Sequence, residues 1–158
     1  MANIKWFKLT ACIAGVLLVG FTSGIATASG MNGWFDTLQK PFFNPPSWVF
    51  GPAWTTLYIL MGIGLYLILQ TPASEMRKAA LTYFGVQLFL NFSWSFLFFY
   101  FHQIDMALIE IAMLWGCILN MILRFHKLSP TAAFLQLPYL AWVSFATLLN
   151  AAFWYLNR

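Results

Sequence analysis

Apolar residues gather along this chain in five blocks, at about residues 4–28, 47–70, 79–101, 106–125 and 131–156. Each block is near the roughly 20 residues that a helix needs to cross the hydrocarbon layer of a bilayer. The pattern therefore predicts an all-α membrane bundle of five transmembrane helices, forming a single domain over residues 1–158. The breaks "TPASEMRK", "HQID" and "HKLSP" are short, so consecutive helices are expected to pack as antiparallel neighbours. The stretch "SGMNGWFDTLQKPFFNPP", residues 29–46, is the one long connection.

Prolines punctuate the blocks. Pro72 ends the second helix, and Ser74, three residues before Arg77, offers the third a loose N-cap. Pro46 and Pro130 fall at first helical turns, where a missing N–H is harmless, and Pro52 is close to the start of its helix. Pro138 lies inside the fifth block, which predicts a kink and a freed carbonyl near Phe134.

Composition supports the membrane reading. The chain is 61% hydrophobic and 8% charged, whereas a soluble domain carries about 25% charged residues. Its eight Lys and Arg are scattered. They form no basic stripe, so nucleic acid is not an expected partner. Cys12 and Cys117 sit in apolar stretches and read as buried free thiols, with neither a disulfide framework nor a metal-ligand spacing. Lys5, Lys8 and the later "ATA" at 26–28 resemble a signal peptide. The apolar run from Leu9 to Ile25 is longer than a usual signal core, which favours a retained helix.

With five spans, Lys5, Lys8, Arg77, Lys78, Arg124 and Lys127 fall on one side and only Lys40 and Arg158 on the other. The positive-inside rule then puts the N-terminus in the cytoplasm, with the long loop and the C-terminus outside.

Three helices carry mixed aromatic and polar stripes. Gln87, Asn91, Trp94, Ser95 and Phe98 share a face of the third, and Tyr139, Trp142, Ala146, Asn150 and Phe153 a face of the fifth. Trp54, Tyr58 and Gly62 repeat at intervals of four on the second, with Trp48 just ahead of them. An unpaired amide at membrane depth is costly, roughly 2–7 kcal/mol, so Gln87 and Asn91 must face protein or an internal cavity. One reading is hydrogen-bonded glue between helices. The other is an aromatic-lined cavity with a few amides, suited to a flat hydrophobic ligand. An interfacial belt explains Trp6, Trp34, Trp48 and Trp154, but not the deeper Trp94 and Trp142. Gly20-x-x-x-Gly24 on the first helix, and Ala112, Gly116 and Asn120 on the fourth, are small-residue faces open to internal packing or dimerisation.

Conventional catalytic chemistry is sparse. Of the four acidic residues, Asp36, Glu75 and Asp105 lie in loops, and Glu110, one turn into the fourth helix, is expected to be solvated. His102 and His126 fall on opposite sides, and no Ser-His-Asp set, carboxylate pair, phosphate-binding loop or metal site is legible.

The motifs "WFDTLQKPFFNPPSWVFGPAWTTLY", "QLFLNFSWSFLFF" and "LPYLAWVSFATLLNAAFWYLN" resemble the translocator protein family. Its members are also called peripheral benzodiazepine receptors or bacterial tryptophan-rich sensory proteins. The likeness runs from about Trp34 to Asn157.

The resemblance implies a five-helix, commonly dimeric membrane protein binding porphyrins such as protoporphyrin IX, haem, sterols, and isoquinoline or benzodiazepine ligands. It implies no required cofactor. It places the pocket between the helices under the long loop, with Trp54, Asn91, Trp94 and Trp142 in its wall and Ala146 at a small position affecting ligands. Together with the stripes, the expected ligand-binding set is Lys40, Phe43, Trp48, Trp54, Tyr58, Gln87, Asn91, Trp94, Phe98, Tyr139, Trp142, Ala146 and Asn150. Phe42, Phe43 and Trp48 are expected to form a proline-stiffened lid, and Lys40 to attract porphyrin propionates at its mouth.

Animal members carry a Tyr shortly after the Leu-Asn pair of the fifth helix, in a cholesterol-recognition pattern. Here Ala151 stands at that position, which weakens the sterol reading. The short C-terminus resembles bacterial members and a bacterial cell membrane. The leading expectation is a porphyrin receptor or carrier, with roles in tetrapyrrole transport or stress sensing. The alternative is light-dependent porphyrin breakdown with Trp54 and Trp142 as redox partners.

Overall fold

The computed structural model describes residues 5–31 and 33–158, so Ile4, at the start of the first apolar block, lies outside the described residues. The described residues are all-helical, and the five predicted spans are present. They are α1 (Trp6–Met31), a short α2 (Trp34–Thr37) in the connecting loop, α3 (Phe50–Gln70), α4 (Glu75–Ser95), α5 (Ile104–Leu128), α6 (Pro130–Phe134) and α7 (Leu137–Leu156). A 3₁₀ turn, Ser47–Val49, leads into α3. Four segments are long and apolar enough to cross a membrane by composition: α1, Ser47–Gln70, α5 and Pro130–Leu156. The remaining span, α4, starts with Glu75, Arg77 and Lys78 and buries Gln87 and Asn91, so its apolar signal is diluted.

Local chemistry sets the helix ends. Ser74 caps α4, its side chain accepting from Arg77 N at 3.1 Å, so the helix starts at Glu75, ahead of the expected residue 79. Ser129 caps α6 in the same way through Ala132 N, with Pro130 in the first turn. Pro138 does more than kink the last span. The helix stops at Phe134 and restarts at Leu137, so the proline enters a first turn where it lacks nothing. Gln136, fully buried in this break, donates to Leu60 O at 3.3 Å and Ala132 O at 3.4 Å.

The spacing along α4 also fails to continue to its end. Residues Phe96–Tyr100 form a π-helical turn, with Phe101 N bonded to Phe96 O at 2.8 Å. The extra residue in that turn lets both Phe98 and Phe99 point inward.

In the bundle, α1 lies along α3 and across α4 and the π turn, α4 lies along α5, and α5 along α6 and α7. The expectation that consecutive helices are neighbours fails at α3 and α4, which meet only lightly. The reason is that α3 presents glycines to other partners. A Cβ on Gly62 would lie 2.6 Å from Ile13 Cα of α1, and one on Gly64 would lie 2.2 Å from Gln136 Nε2. Close packing of this kind holds membrane helices together where lipid removes the hydrophobic drive.

One core cluster includes Met61, Ile68, Ile118, Met121 and Phe125, and a second, under the long loop, includes Phe35, Phe98, Phe99, Leu149 and Phe153. The alternation of spans gathers the six basic residues near Lys5 at one end, where Lys5 N donates to Tyr66 OH. Lys40 and Arg158 sit at the other, where Gln39 meets Asn157.

Candidate functional site

A cavity of about 710 Å³ opens inside the loop-side half of the bundle. From α3 it takes Trp54 and Tyr58, from α4 Asn91, Trp94 and Ser95, and from α7 Trp142, Ala146, Leu149 and Asn150. Ile111 and Leu114 of α5 close the back, and Phe98 and Phe99 reach it from the π turn. Its size is within the range of small-molecule sites, about 300–1,000 Å³. Among the described residues, none of those lining it carries a charge.

The aromatic walls are ordered by ring contacts. Trp54 stacks on Tyr58 at 5.5 Å and meets Trp142 edge-to-face at 6.5 Å. Phe50 meets the other side of Trp142 at 6.0 Å, and Trp94 stacks on Phe98 at 5.2 Å. Such offset and edge-to-face pairs fix ring positions beyond simple burial.

The polar groups form a ladder beneath and beside these rings. Tyr58 OH donates to Asn91 Oδ1 at 2.6 Å, Asn91 Nδ2 donates to Tyr139 OH at 3.1 Å, and Tyr139 OH donates to Gln87 Oε1 at 2.8 Å. Trp94 Nε1 donates to Asn150 Oδ1 at 3.1 Å, and Asn150 Nδ2 to Ile104 O at 3.0 Å. Both readings of the stripes are thus realised in one place. The amides join α3, α4, α5 and α7, and the rings above them leave a cavity.

Eight members of the expected set line the cavity: Trp54, Tyr58, Asn91, Trp94, Phe98, Trp142, Ala146 and Asn150. Gln87 and Tyr139 are fully buried below it, in the ladder. Trp48 is exposed on the 3₁₀ turn, and Phe43 packs on Phe145 away from the cavity. Lys40 is also outside, with Nζ 2.9 Å from Asp36 Oδ1 and over the Phe35 ring.

The roof is instead Phe35, buried among Phe98, Phe99 and Phe153, while Phe42 is entirely exposed. Sequence reasoning also missed the contribution of α1, whose Gly20, Ser23, Gly24 and Thr27 line the cavity. The Gly20-x-x-x-Gly24 motif was the available signal.

Two details depart from expectation, the burial of Glu110 and that of Cys12, and the histidines fall on opposite sides as expected. Glu110 is buried rather than solvated, because it lies on the face of α5 shared with Ala107 and Leu114 and packed against α4, where it accepts from Ser93 Oγ. Cys117 is buried but Cys12 only half-buried, and both are free. His102 stacks on Trp34 at 4.1 Å at the loop end, and His126 is in the last turn of α5 at the opposite end. Among the described residues no three metal-ligating side chains cluster.

Fold and cavity together define a helical membrane protein with an aromatic-walled cavity between its spans. The TspO/MBR family model matches residues 12–156, and the chain belongs to that family. It is 42% identical over 151 residues to "Tryptophan-rich protein TspO" of Archaeoglobus fulgidus, covering 95% of this chain and 97% of the relative. The protein of the same name from Chlorobaculum tepidum is 39% identical over 156 residues, covering 98% and 99%. "Translocator protein" of Bos taurus is 36% identical over 154 residues, covering 96% and 88%.

Proposed function

We propose that this integral membrane protein is a receptor or carrier for porphyrins, protoporphyrin IX and haem among them, and for related flat apolar ligands. The observation that carries the reading is the cavity itself, walled by Trp54, Trp94 and Trp142 with an uncharged lining. Flat aromatic macrocycles gain most from stacking on such walls. Ionised propionates find no partner inside, so they stay at the loop end. There Lys40 is available, because its exposed pair with Asp36 is of the kind that exchanges readily. The name of the bovine relative supports a carrier role. Sterols and isoquinoline or benzodiazepine compounds belong to the same shape class. On this reading the N-terminus faces the cytoplasm and the long loop the outside, a placement that the six-to-two split of basic residues supports.

A second reading rests on one contact. Trp54 and Trp142 meet edge-to-face at 6.5 Å, so a photoexcited ring seated against this pair has two oxidisable neighbours. Titration of the purified protein with protoporphyrin IX, in darkness and then under light, separates the two, with Trp54→Phe/Trp142→Phe alongside. Saturable binding without a new product is the expected result. A light-dependent product that disappears in the double variant, while binding persists, establishes photochemistry instead. Absence of saturable binding refutes both.

A further inference from the structure

The cavity wall is incomplete between α1 and α3. These helices touch where Gly20 meets the Tyr58 ring and where Gly62 meets the Ile13 backbone. Nearer the loop the contact ends. A Cβ on Gly24 or Gly51 would meet nothing within 4 Å. Gly24, Ala28, Gly51 and Thr55 are exposed, yet they line the same cavity as the buried Asn91 and Asn150. The rim of this gap is apolar, with Phe21 and Ile25 directed outward, as suits a surface in contact with acyl chains.

The loop end is closed by comparison. Phe35 is wedged into an aromatic cluster, and the Asn157 side chain bonds both the N–H and the C=O of Gln39. The expected lid aromatics Phe42 and Trp48 are exposed and do not line the cavity.

We propose that the gap between α1 and α3 is the ligand's doorway, and that the loop is a fixed roof. Ligands reach the site sideways, from the acyl-chain layer on the loop side of the bilayer. This deepens the porphyrin reading and rests on it for the identity of the ligand. It selects compounds that dissolve in lipid and carry their ionised groups along one edge. The apolar edge enters first, and the charged edge remains in the doorway near the headgroups, because the lining offers it no counter-charge.

The experiment uses Gly24→Phe and Gly51→Phe, each of which places a ring into empty space. Gly85→Phe on α4 is the control, since its Cβ also meets nothing and it lies off the cavity. In vesicles of lipid brominated along the acyl chain, quenching of Trp54 is read as the difference from a Trp54→Phe background. Both doorway variants are expected to reduce that quenching and to slow protoporphyrin IX association and dissociation together, by about tenfold. Both rates are expected to fall by more than the equilibrium constant changes, and Gly85→Phe alters neither readout.

Quenching and rates that ignore the doorway substitutions overturn the proposal. So does an Asn157→Ala variant that exchanges ligand faster while the doorway variants do not slow it. If protoporphyrin IX fails to bind but quenching still responds at Gly24 and Gly51, the doorway stands and the porphyrin reading falls.

Discussion

Asn157, one residue from the C-terminus, grips Gln39 across the loop end of the bundle. Its Oδ1 accepts from Gln39 N at 2.8 Å and its Nδ2 donates to Gln39 O at 3.1 Å. This reproduces with one side chain the paired bonds of two adjacent strands, and it anchors the loop between Phe35 and the exposed Phe42. Asn157→Ala removes both bonds at an exposed site, for a loss of about 0.5–1.5 kcal/mol per bond at most. The expected result is faster amide exchange and protease cleavage over residues 38–46, with the helices unaffected. Unchanged exchange in the loop would show that Phe35 alone holds it.

Asn91 is the hub of the interhelical ladder, bonded to Tyr58 of α3 and Tyr139 of α7 at once. Hydrogen bonds between membrane helices average about 0.6 kcal/mol, with a maximum near 1.7. Tyr58→Phe removes one such bond and is expected to lower the unfolding midpoint slightly. Asn91→Leu removes two and strands the Tyr58 hydroxyl, so its loss is larger, about 1–3 kcal/mol. Thermal unfolding in detergent orders the pair. Equal losses would mean that Asn91 contributes through shape rather than bonding.

Much of this arrangement was readable beforehand. The five blocks gave the spans, since a bilayer imposes length and apolarity on each helix separately. The stripes on α4 and α7 gave Asn91, Trp94, Trp142 and Asn150, because helical periodicity is local. What depended on contacts between helices was not readable. Gln87 and Tyr139 share a stripe with the cavity residues, and only the positions of neighbouring helices set them beneath it. The π turn at Phe96–Tyr100 broke the period that placed Phe98, so the inward turn of Phe99 could not be counted out. The loop misled most. Phe42, Phe43 and Trp48 stood out by composition, whereas Phe35 closes the site because α2 turns it inward. Membership of the TspO/MBR family was legible in the proline-aromatic connector and in the two helix motifs that follow it.

The two glycines of Gly20-x-x-x-Gly24 have opposite duties, and substitution separates them. A Cβ on Gly20 would lie 2.2 Å from Tyr58 Cε2, and that ring is held by Asn91 and by its stack on Trp54. Gly20→Ala is therefore expected to destabilise by about 1–3 kcal/mol through overpacking. Gly24→Ala meets empty space and is expected to stabilise α1 by about 0.5–1 kcal/mol. Melting curves of the two variants in the same detergent should move in opposite directions. Movement in the same direction would mean that α1 does not close on α3 as described.

Ala146 lies between Trp142 and Asn150 on the cavity face of α7, about one turn from each. Its small side chain leaves room in the middle of a wall otherwise built of large groups. Leucine there extends three further carbons into the cavity, where a bound ring would lie, while the backbone helix accepts leucine readily. Ala146→Leu is expected to weaken protoporphyrin IX binding by about tenfold, a loss of about 1.4 kcal/mol. Stability without ligand is expected to hold, because the added carbons fill space rather than displace packed atoms. The decisive comparison is the ligand-induced rise in melting temperature, which should shrink in Ala146→Leu while the melting temperature without ligand does not fall. An undiminished rise would place the ligand outside this cavity, whatever its affinity.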